Sequence, residues 1–367
     1  MSKVRSAITL VEPMVEAVFA IPGDITLPTG GYAYDREVLA RLPGMGLDVR
    51  HLELPAGFPD PSPTDLARTA ELVAGTRAGT VLVIDGLAYG AMPAALIDGF
   101  DRPIVALVHH PLCLEAGLAP ARAEVLRELE TAALARAARV VATSPMTART
   151  LVADFAVPTE RITVAVPGTD PARRAVGSAG ADGKVALLAV GSVVQRKGYD
   201  VLVRALAIDA AAHDPDWTLD IVGALDRSPA TVAALRDQIA AAGLGDRIEI
   251  VGPMSREQLN GRFDCADIFV LSSHYEGYGM VLAEALARGL PIVTTTGGAA
   301  AETVPDDAAI KVPPGDVDAL QRALRLMIDD PALRGRLADA AWSAGQTLPR
   351  WSDTAERIAK TIKEVGR

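Results

Sequence analysis

The sequence predicts an α/β protein made of two doubly wound parallel-sheet domains that face each other across a cleft. Three observations lead there. Short apolar runs alternate with amphipathic, Ala- and Leu-rich stretches along nearly the whole chain. The alternation breaks once, at residues 171–183 (PARRAVGSAGADG), and then restarts. Half of the residues are hydrophobic but only 4% are aromatic, so the cores must be packed from Ala, Val, Leu and Ile. Alternating strands and helices imply parallel sheets covered on both faces. The 367 residues amount to about 2.4 domains at roughly 150 residues each.

In the first series, residues 15–21, 49–54, 81–84, 104–108, 140–143 and 162–166 read as strands, with helical periodicity at 36–42, 63–74, 121–137 and 147–155. In the second, strands fall at 185–190, 218–222, 248–251, 268–271 and 292–295, and helices at 199–212, 231–242, 280–287 and 318–328. The Gly-, Ala- and Pro-rich break has the composition of an interdomain linker. The expected boundaries are therefore a first domain at 1–170, the linker at 171–183 and a second domain at 184–348. Residues 349–367 add a terminal helix whose Ala355, Ile358, Ile362 and Val365 share one face. That face could pack on either domain.

Charge and cysteine usage exclude several classes. A net charge of −10 argues against a nucleic-acid surface, which needs a basic stripe to neutralise phosphates, and it weakens any polybasic attachment to a membrane. Peripheral membrane contact is not indicated. Cys113 and Cys265 stand far apart with no metal-ligand spacing, so neither a zinc cage nor a disulfide framework is expected, and a reducing cytoplasm is the natural compartment. The amino terminus carries Lys3 and Arg5, but Glu12 and Glu16 interrupt any signal-like apolar block.

Ligands of open parallel sheets bind beyond the carboxyl ends of the strands, where loops meet helix amino termini. The informative motifs lie there. Gly191-Ser192-Val193-Val194-Gln195-Arg196-Lys197-Gly198 follows the strand at 185–190. Arg offers a bidentate fork and Lys a compact charge, a combination suited to a diphosphate. Glu276-Gly277-Tyr278-Gly279-Met280-Val281-Leu282-Ala283-Glu284 follows the strand at 268–271. Its glycines let backbone approach a ligand closely. Its two carboxylates would be about 12 Å apart on a continuous helix, beyond the roughly 5–9.5 Å of a hydrolytic pair, and so suit opposite ends of an extended ligand. Glu284 is also embedded in an apolar VLAEALA helix, an uncomfortable place for an idle carboxylate.

Two more features sit in the first domain. Pro28-Thr29-Gly30-Gly31-Tyr32 forms a loop after the first strand that permits close backbone approach to phosphate. It lacks G-x-G-x-x-G, which lowers a nicotinamide dinucleotide reading. His109-His110-Pro111 ends the strand at 104–108, where a histidine facing a cleft can hydrogen-bond a sugar or polarise an acceptor. Other features carry less. Asp214-Pro-Asp216 reads as a turn and Asp316-Val-Asp318 as a helix start, not as D-x-D metal sites. His51, His213 and His274 have no zinc spacing.

R-K-G after a strand, then E-G-Y-G-x4-E before a helix, then GLPIVTTTGG, resembles the retaining glycosyltransferases of family 4, which have the GT-B fold. Residues 143–170 also resemble that family's end-of-domain segment. The resemblance implies Arg196 and Lys197 on the donor diphosphate, Glu276 on the transferred sugar with Gly277, Tyr278 and Gly279 nearby, and Glu284 on the ribose. It implies donor contacts from Gly30, Gly31, Gly191, Ser192, Met280 and Val281, with residues 251–254, Met254 among them, near the nucleobase through backbone. It places a histidine beside the sugar, His109 with His110 as fallback, and a last helix crossing back to the first domain. Tyr278 stands where the family more often has Phe.

The expected activity is retaining transfer of a sugar from a UDP- or GDP-linked donor to a hydroxyl of a sugar, polysaccharide or lipid. No cofactor and no metal are expected, because Arg196, Lys197 and helix amino termini supply the positive charge. The alternatives are a sugar-nucleotide epimerase or glycogen-type synthase of the same fold, and a non-catalytic nucleotide-sugar-binding protein.

Overall fold

The computed structural model describes residues 14–178, 184–212 and 217–366. Six strands form the first sheet: β1 (Val15–Pro22), β2 (Leu47–Leu54), β3 (Val81–Asp85), β4 (Ile104–Val108), β5 (Arg139–Ala142) and β6 (Ile162–Val164), in the order β2-β1-β3-β4-β5-β6. Six form the second: β7 (Val185–Val190), β8 (Trp217–Val222), β9 (Ile248–Gly252), β10 (Ile268–Leu271), β11 (Ile292–Thr295) and β12 (Ala309–Val312), in the order β12-β11-β10-β7-β8-β9. Every pairing is parallel. The central strands β3, β4, β10 and β11 are buried along their whole length, as unbroken apolar runs covered on both faces must be. The edge strand β2 instead carries Asp48, Arg50, His51 and Glu53, which discourage pairing with another chain.

The helices of the first half are α1 (Gly30–Arg41), α2 (Pro63–Ala74), α3 (Gly86–Tyr89), α4 (Ala94–Asp98), α5 (Pro120–Leu134) and α6 (Pro145–Phe155). Those of the second are α7 (Tyr199–Ala212), α8 (Pro229–Ala241), α9 (Arg256–Cys265), α10 (Met280–Leu286), α11 (Ala300–Thr303), α12 (Val317–Asp329), α13 (Pro331–Gly345) and α14 (Trp351–Val365). No helix among the described residues is long and apolar enough to cross a membrane.

The strand orders fix where chemistry can happen. In the first sheet the chain leaves β1 for β2 on one side and returns to β3 on the other. In the second it goes from β7 outward through β8 and β9, then returns to β10 beside β7. Each reversal is a topological switch point, where neighbouring strands send their connections to opposite faces and leave a crevice. The loops after β1 and β3 line one crevice, and those after β7 and β10 line the other.

Several elements differ from what periodicity suggests. Helix α1 begins at Gly30 rather than at residue 36, so Gly30 and Gly31 are its first turn and not a loop; Thr29 caps it by accepting the Tyr32 N–H. Helices α9 and α13 have no strong apolar stripe. Among the α9 residues only Phe263 is buried, and α13 is rich in Ala and Gly. Their capping signals do mark them: a Ser255–Gln258 capping box for α9, and Asp330 followed by Pro331 for α13. Strand β12 also escapes the periodic reading. Asp316 caps α12 by accepting the Ala319 N–H, as its reading as a helix start requires, whereas His213 and Asp214–Asp216 lie outside the described residues. Residues 175–178 of the break lie along the second domain, with the Ala175 N–H bonded to the Arg288 carbonyl and the Val176 and Gly177 N–H groups to that of Asp264; residues 179–183 are outside the described set.

Helix α14 returns to the first domain. Trp351, Ile358, Ala359 and Ile362 join Phe19, Tyr34, Val38 and Val83 in one buried cluster, and Thr354 donates to the Val166 carbonyl at 2.7 Å. Because Ile362 is fully buried, Ile362→Ala should cost about 2–5 kcal/mol. Urea denaturation followed by far-UV circular dichroism checks this; an unchanged midpoint would mean that the helix only rests on the surface.

Candidate active site

The loop after β7 runs through Gly191 and Ser192 into a single 3₁₀ turn, Gln195–Lys197, which Gly198 ends in the left-handed conformation (φ 61°). A Cβ on Gly198 would run into the Ser272 carbonyl, so only glycine lets this turn approach the loop after β10. The two loops are stitched together. His274 N–H donates to the Arg196 carbonyl at 2.7 Å and Ser272 Oγ to the Lys197 carbonyl at 3.0 Å.

That stitching sets Lys197 Nζ 2.6 Å from Glu276 Oε1, with Ser273 Oγ donating to the same oxygen at 2.6 Å. Arg196 lies with Nη1 3.5 Å from Glu276 Oε2 and donates from Nη1 to the Tyr275 carbonyl at 2.8 Å. Lys197 and Glu276 are only 8% and 6% exposed. Burial alone would raise the Glu276 carboxyl, but the charges of Lys197 and Arg196 overcome it and hold the group down at about 2. On Lys197 burial wins, pushing its ammonium below the ordinary lysine value despite the partner carboxylate. The Glu276 backbone is fixed as well, since its N–H reaches the Gly297 carbonyl and its own carbonyl accepts from Ala299.

Helix α10 starts at Met280, so Glu276 precedes it and the 12 Å separation expected for a continuous helix does not apply. The two carboxylates have separate surroundings. Glu284 lines a cavity of about 200 Å³ between the domains with Met280, Arg256, Asn260, Arg288 and Trp351. Burial raises its carboxyl, partly offset by Arg288 and Arg256. A larger cavity of about 550 Å³ lies at the amino ends of β7–β9 beside Lys184, Asp220 and Arg262, the end of the sheet where crevice loops do not converge.

Other sequence candidates split between side-chain and backbone roles. The side chains of Met254 and Val281 pack on the second-domain cluster with Phe263 and Leu282, while that of Met280 packs on the first-domain cluster. Tyr278 gives its carbonyl to Thr303 Oγ1 at 2.6 Å, and burial pushes its phenol up to about 12. Gly277 approaches the first domain so closely that a Cβ would collide with the His109 carbonyl.

His109 follows β4 with its ring in ion-pair reach of two carboxylates, Asp35 Oδ1 at 3.3 Å and Asp85 Oδ2 at 3.2 Å. Burial would lower its pKa, but the two carboxylates raise it to about 10. The three residues present donor atoms within 4.8 Å of one another. His110 turns away to Glu115 Oε2 at 3.1 Å, and Glu115 Oε1 reaches across the cleft to Arg196 Nε at 3.1 Å. Sequence reasoning missed Asp35, Asp85 and Glu115. Asp85 had a readable signal, a carboxylate closing an apolar strand just before glycine. Asp35 and Glu115 had none.

Two Rossmann-like domains meeting at their switch points, with a buried Arg-Lys-Glu cluster between them, define a GT-B glycosyltransferase. Residues 14–168 match the family model described as a glycosyl transferase 4-like domain, and residues 176–343 that described as glycosyl transferases group 1. The chain belongs to the retaining glycosyltransferases of family 4. It is 29% identical to an MMP alpha-(1->4)-mannosyltransferase of Mycolicibacterium hassiacum over 85% of this chain and 77% of that protein. It is 34% identical to a D-inositol 3-phosphate glycosyltransferase of an Arthrobacter species over 60% of this chain and 54% of that one. Among solved structures, sucrose-phosphate synthase from Thermosynechococcus elongatus shares the fold at TM-score 0.79 and 22% identity, covering 95% of this chain and 98% of that one. HepE of Anabaena in complex with UDP-glucose does so at TM-score 0.74 and 19% identity, covering 95% and 99%.

The Glu276 carboxylate contributes stability that is complete above its ordinary pKa near 4.5 and is lost as pH falls toward 2. Glu276→Gln strands a buried Lys197 and should cost about 3–5 kcal/mol at neutral pH, with the deficit shrinking as the wild type is acidified below about 4.5. Urea midpoints of both proteins across that range check it, and a constant difference would contradict it.

Proposed function

We propose that this enzyme moves a hexosyl group from a UDP- or GDP-linked donor to an acceptor hydroxyl with retention of configuration, in the cytosol and without a metal. The observation that supports this best is the buried Lys197–Glu276–Arg196 cluster at the β7/β10 switch point. Glu276 holds both cations at one place in a site of low dielectric, where fixed charges act most strongly on developing negative charge. A donor diphosphate would take up Arg196, displacing the Glu115 carboxylate that occupies its Nε in the free protein. The leaving nucleoside diphosphate is then stabilised by Arg196, by Lys197 and by the first turn of α1 at Gly30 and Gly31, whose N–H groups carry the positive end of the helix dipole. Glu276 would accept from hydroxyls of the transferred sugar beside Gly277 and Gly279, and Glu284 would accept from the ribose. Gly191, Ser192 and the backbone around Met254, Tyr278, Met280 and Val281 would line the donor.

A relative named as GDP-mannose-dependent and the HepE structure in complex with UDP-glucose make GDP-mannose and UDP-sugars the first donors to try, with sugars, polysaccharides and lipids as acceptors. A melting-temperature panel of UDP, GDP and ADP identifies the base, since a nucleotide at a hundred times its Kd stabilises the fold by about 2.7 kcal/mol. With the donor so found, Lys197→Ala and Glu276→Ala should each lower kcat at least about a hundredfold while circular dichroism shows them folded. Near-normal turnover in both would defeat the assignment.

A further inference from the structure

The two carboxylates of the first-domain charged group are buried more deeply than Lys197 and Glu276. Asp35 is fully buried inside α1, and neither of its oxygens has an aligned hydrogen bond among the described residues. Burial and the neighbouring Asp85 charge push its carboxyl up to about 7, and the charge of His109 pulls against them. Asp85 is fixed in place because its Oδ1 caps α3 through the Leu87 N–H at 2.8 Å, which leaves Oδ2 aimed at the imidazole. Burying a carboxylate without a counter-charge costs several kcal/mol. A helix-interior Asp with both oxygens out of water stays ionised only with a positive charge close by, and His109 lies 3.3 Å away.

We propose that Asp35 and Asp85 are positioning residues that lock His109 as a fixed imidazolium in the cleft wall, so that it meets the bound donor as a hydrogen-bond donor and not as a proton acceptor. This rests on the reading above that the transferred sugar lies beside Gly277, with the His109 ring bordering it. Both carboxylates approach Nε2, which leaves Nδ1–H as the nitrogen free to donate. The ring is flanked by Tyr34, edge-on at 5.2 Å between centroids, and by the first turn of α1 at Gly31. The charged and titratable groups around it are few. Helix α1 supplies Asp35 and the phenols of Tyr32 and Tyr34, both raised by burial and so neutral. Strand β3 supplies Asp85, and α14 presents the neutral Trp351 behind Tyr34. His110 turns to Glu115, which in turn reaches Arg196, and the second domain opposes the His109 carbonyl with the Gly277 backbone. The two carboxylates dominate, and they hold the ring protonated well above neutrality.

The test is an NMR pH titration of the full chain labelled with ¹⁵N-histidine, with His109→Asn used to assign the signal. His109 should remain an imidazolium beyond pH 8, where ordinary histidines, with pKa about 6.5, have lost their proton. In Asp35→Asn its midpoint should fall by at least about one unit. The same variant should lose about tenfold or more in kcat with donor KM little changed, the loss being larger at alkaline than at acid pH, and Asp35→Glu should restore part of it. A wild-type midpoint near 6.5 would overturn the proposal. So would an Asp35→Asn protein whose lower activity keeps the wild-type pH profile and histidine titration, or activity abolished by EDTA and restored by Mn²⁺ or Zn²⁺. The titration requires no donor, so failure to find a transferable sugar would defeat the transferase reading and leave this one to the NMR result.

Discussion

The buried contact between Lys197 and Glu276 is the constraint on which the second domain's site depends. At 2.6 Å, with both groups under 10% exposed, it works only if the loops after β7 and β10 are held at one separation. The surroundings supply that separation: Gly198 admits the close approach, Ser272 and His274 bond the two loops together, and the Gly297 and Ala299 backbone fixes the Glu276 main chain. Removing two charges from water is expensive, and the attraction between them repays the cost only when geometry and extra hydrogen bonds are good. Here Ser273 and Arg196 provide the extra partners. The protein thus carries a preassembled cationic spot that its overall charge of −10 would not suggest.

The first domain repeats the arrangement with the signs arranged differently. At the β7/β10 crevice two cations share one carboxylate; at the β1/β3 crevice two carboxylates share one histidine. Both sit at switch points, because only there do neighbouring loops leave a gap and point their ends at the same space. The contacts that join the two sides include Glu115 to Arg196, Thr147 Oγ1 to the Gly277 carbonyl at 3.4 Å, and the ion pair of Arg149 with Glu302. Helix α14 ties the second domain to the first by covering the face of the first sheet that includes Phe19 and Val83. A ligand that takes Arg196 away from Glu115 therefore alters a contact between domains as well as filling a site.

Much of this was legible in the sequence, for a physical reason. Strands buried on both faces read as continuous apolar runs, so β3, β4, β10 and β11 announced themselves, and motifs just beyond them, R-K-G and E-G-Y-G-x4-E, could be placed without knowing the fold. What stayed hidden was whatever depends on distant parts of the chain meeting. Asp35 falls just before the helical periodicity at 36–42, and the packing of α1 against Asp85 and His109 brings it into the interior. Glu115 lies in an apolar loop, and its value comes from Arg196, 81 residues further on. Helix α9 gives little periodic signal because it buries little, and the segment from Glu276 to Glu284 is helical only from Met280 because the glycines delay the start of α10. Gly30 and Gly31 were read as loop although their N–H groups open a helix.

A double-mutant cycle across Lys197 and Glu276 tests the central claim most directly. Lys197→Met, Glu276→Gln and the double variant would be compared with wild type by urea denaturation at neutral pH. If the pair is a mutually dependent buried unit, each single change strands the other charge, the double change costs little more than either alone, and the coupling exceeds about 2 kcal/mol. Additive losses, with coupling within about 0.5 kcal/mol of zero, would contradict the account and show that the two groups are held apart by other forces.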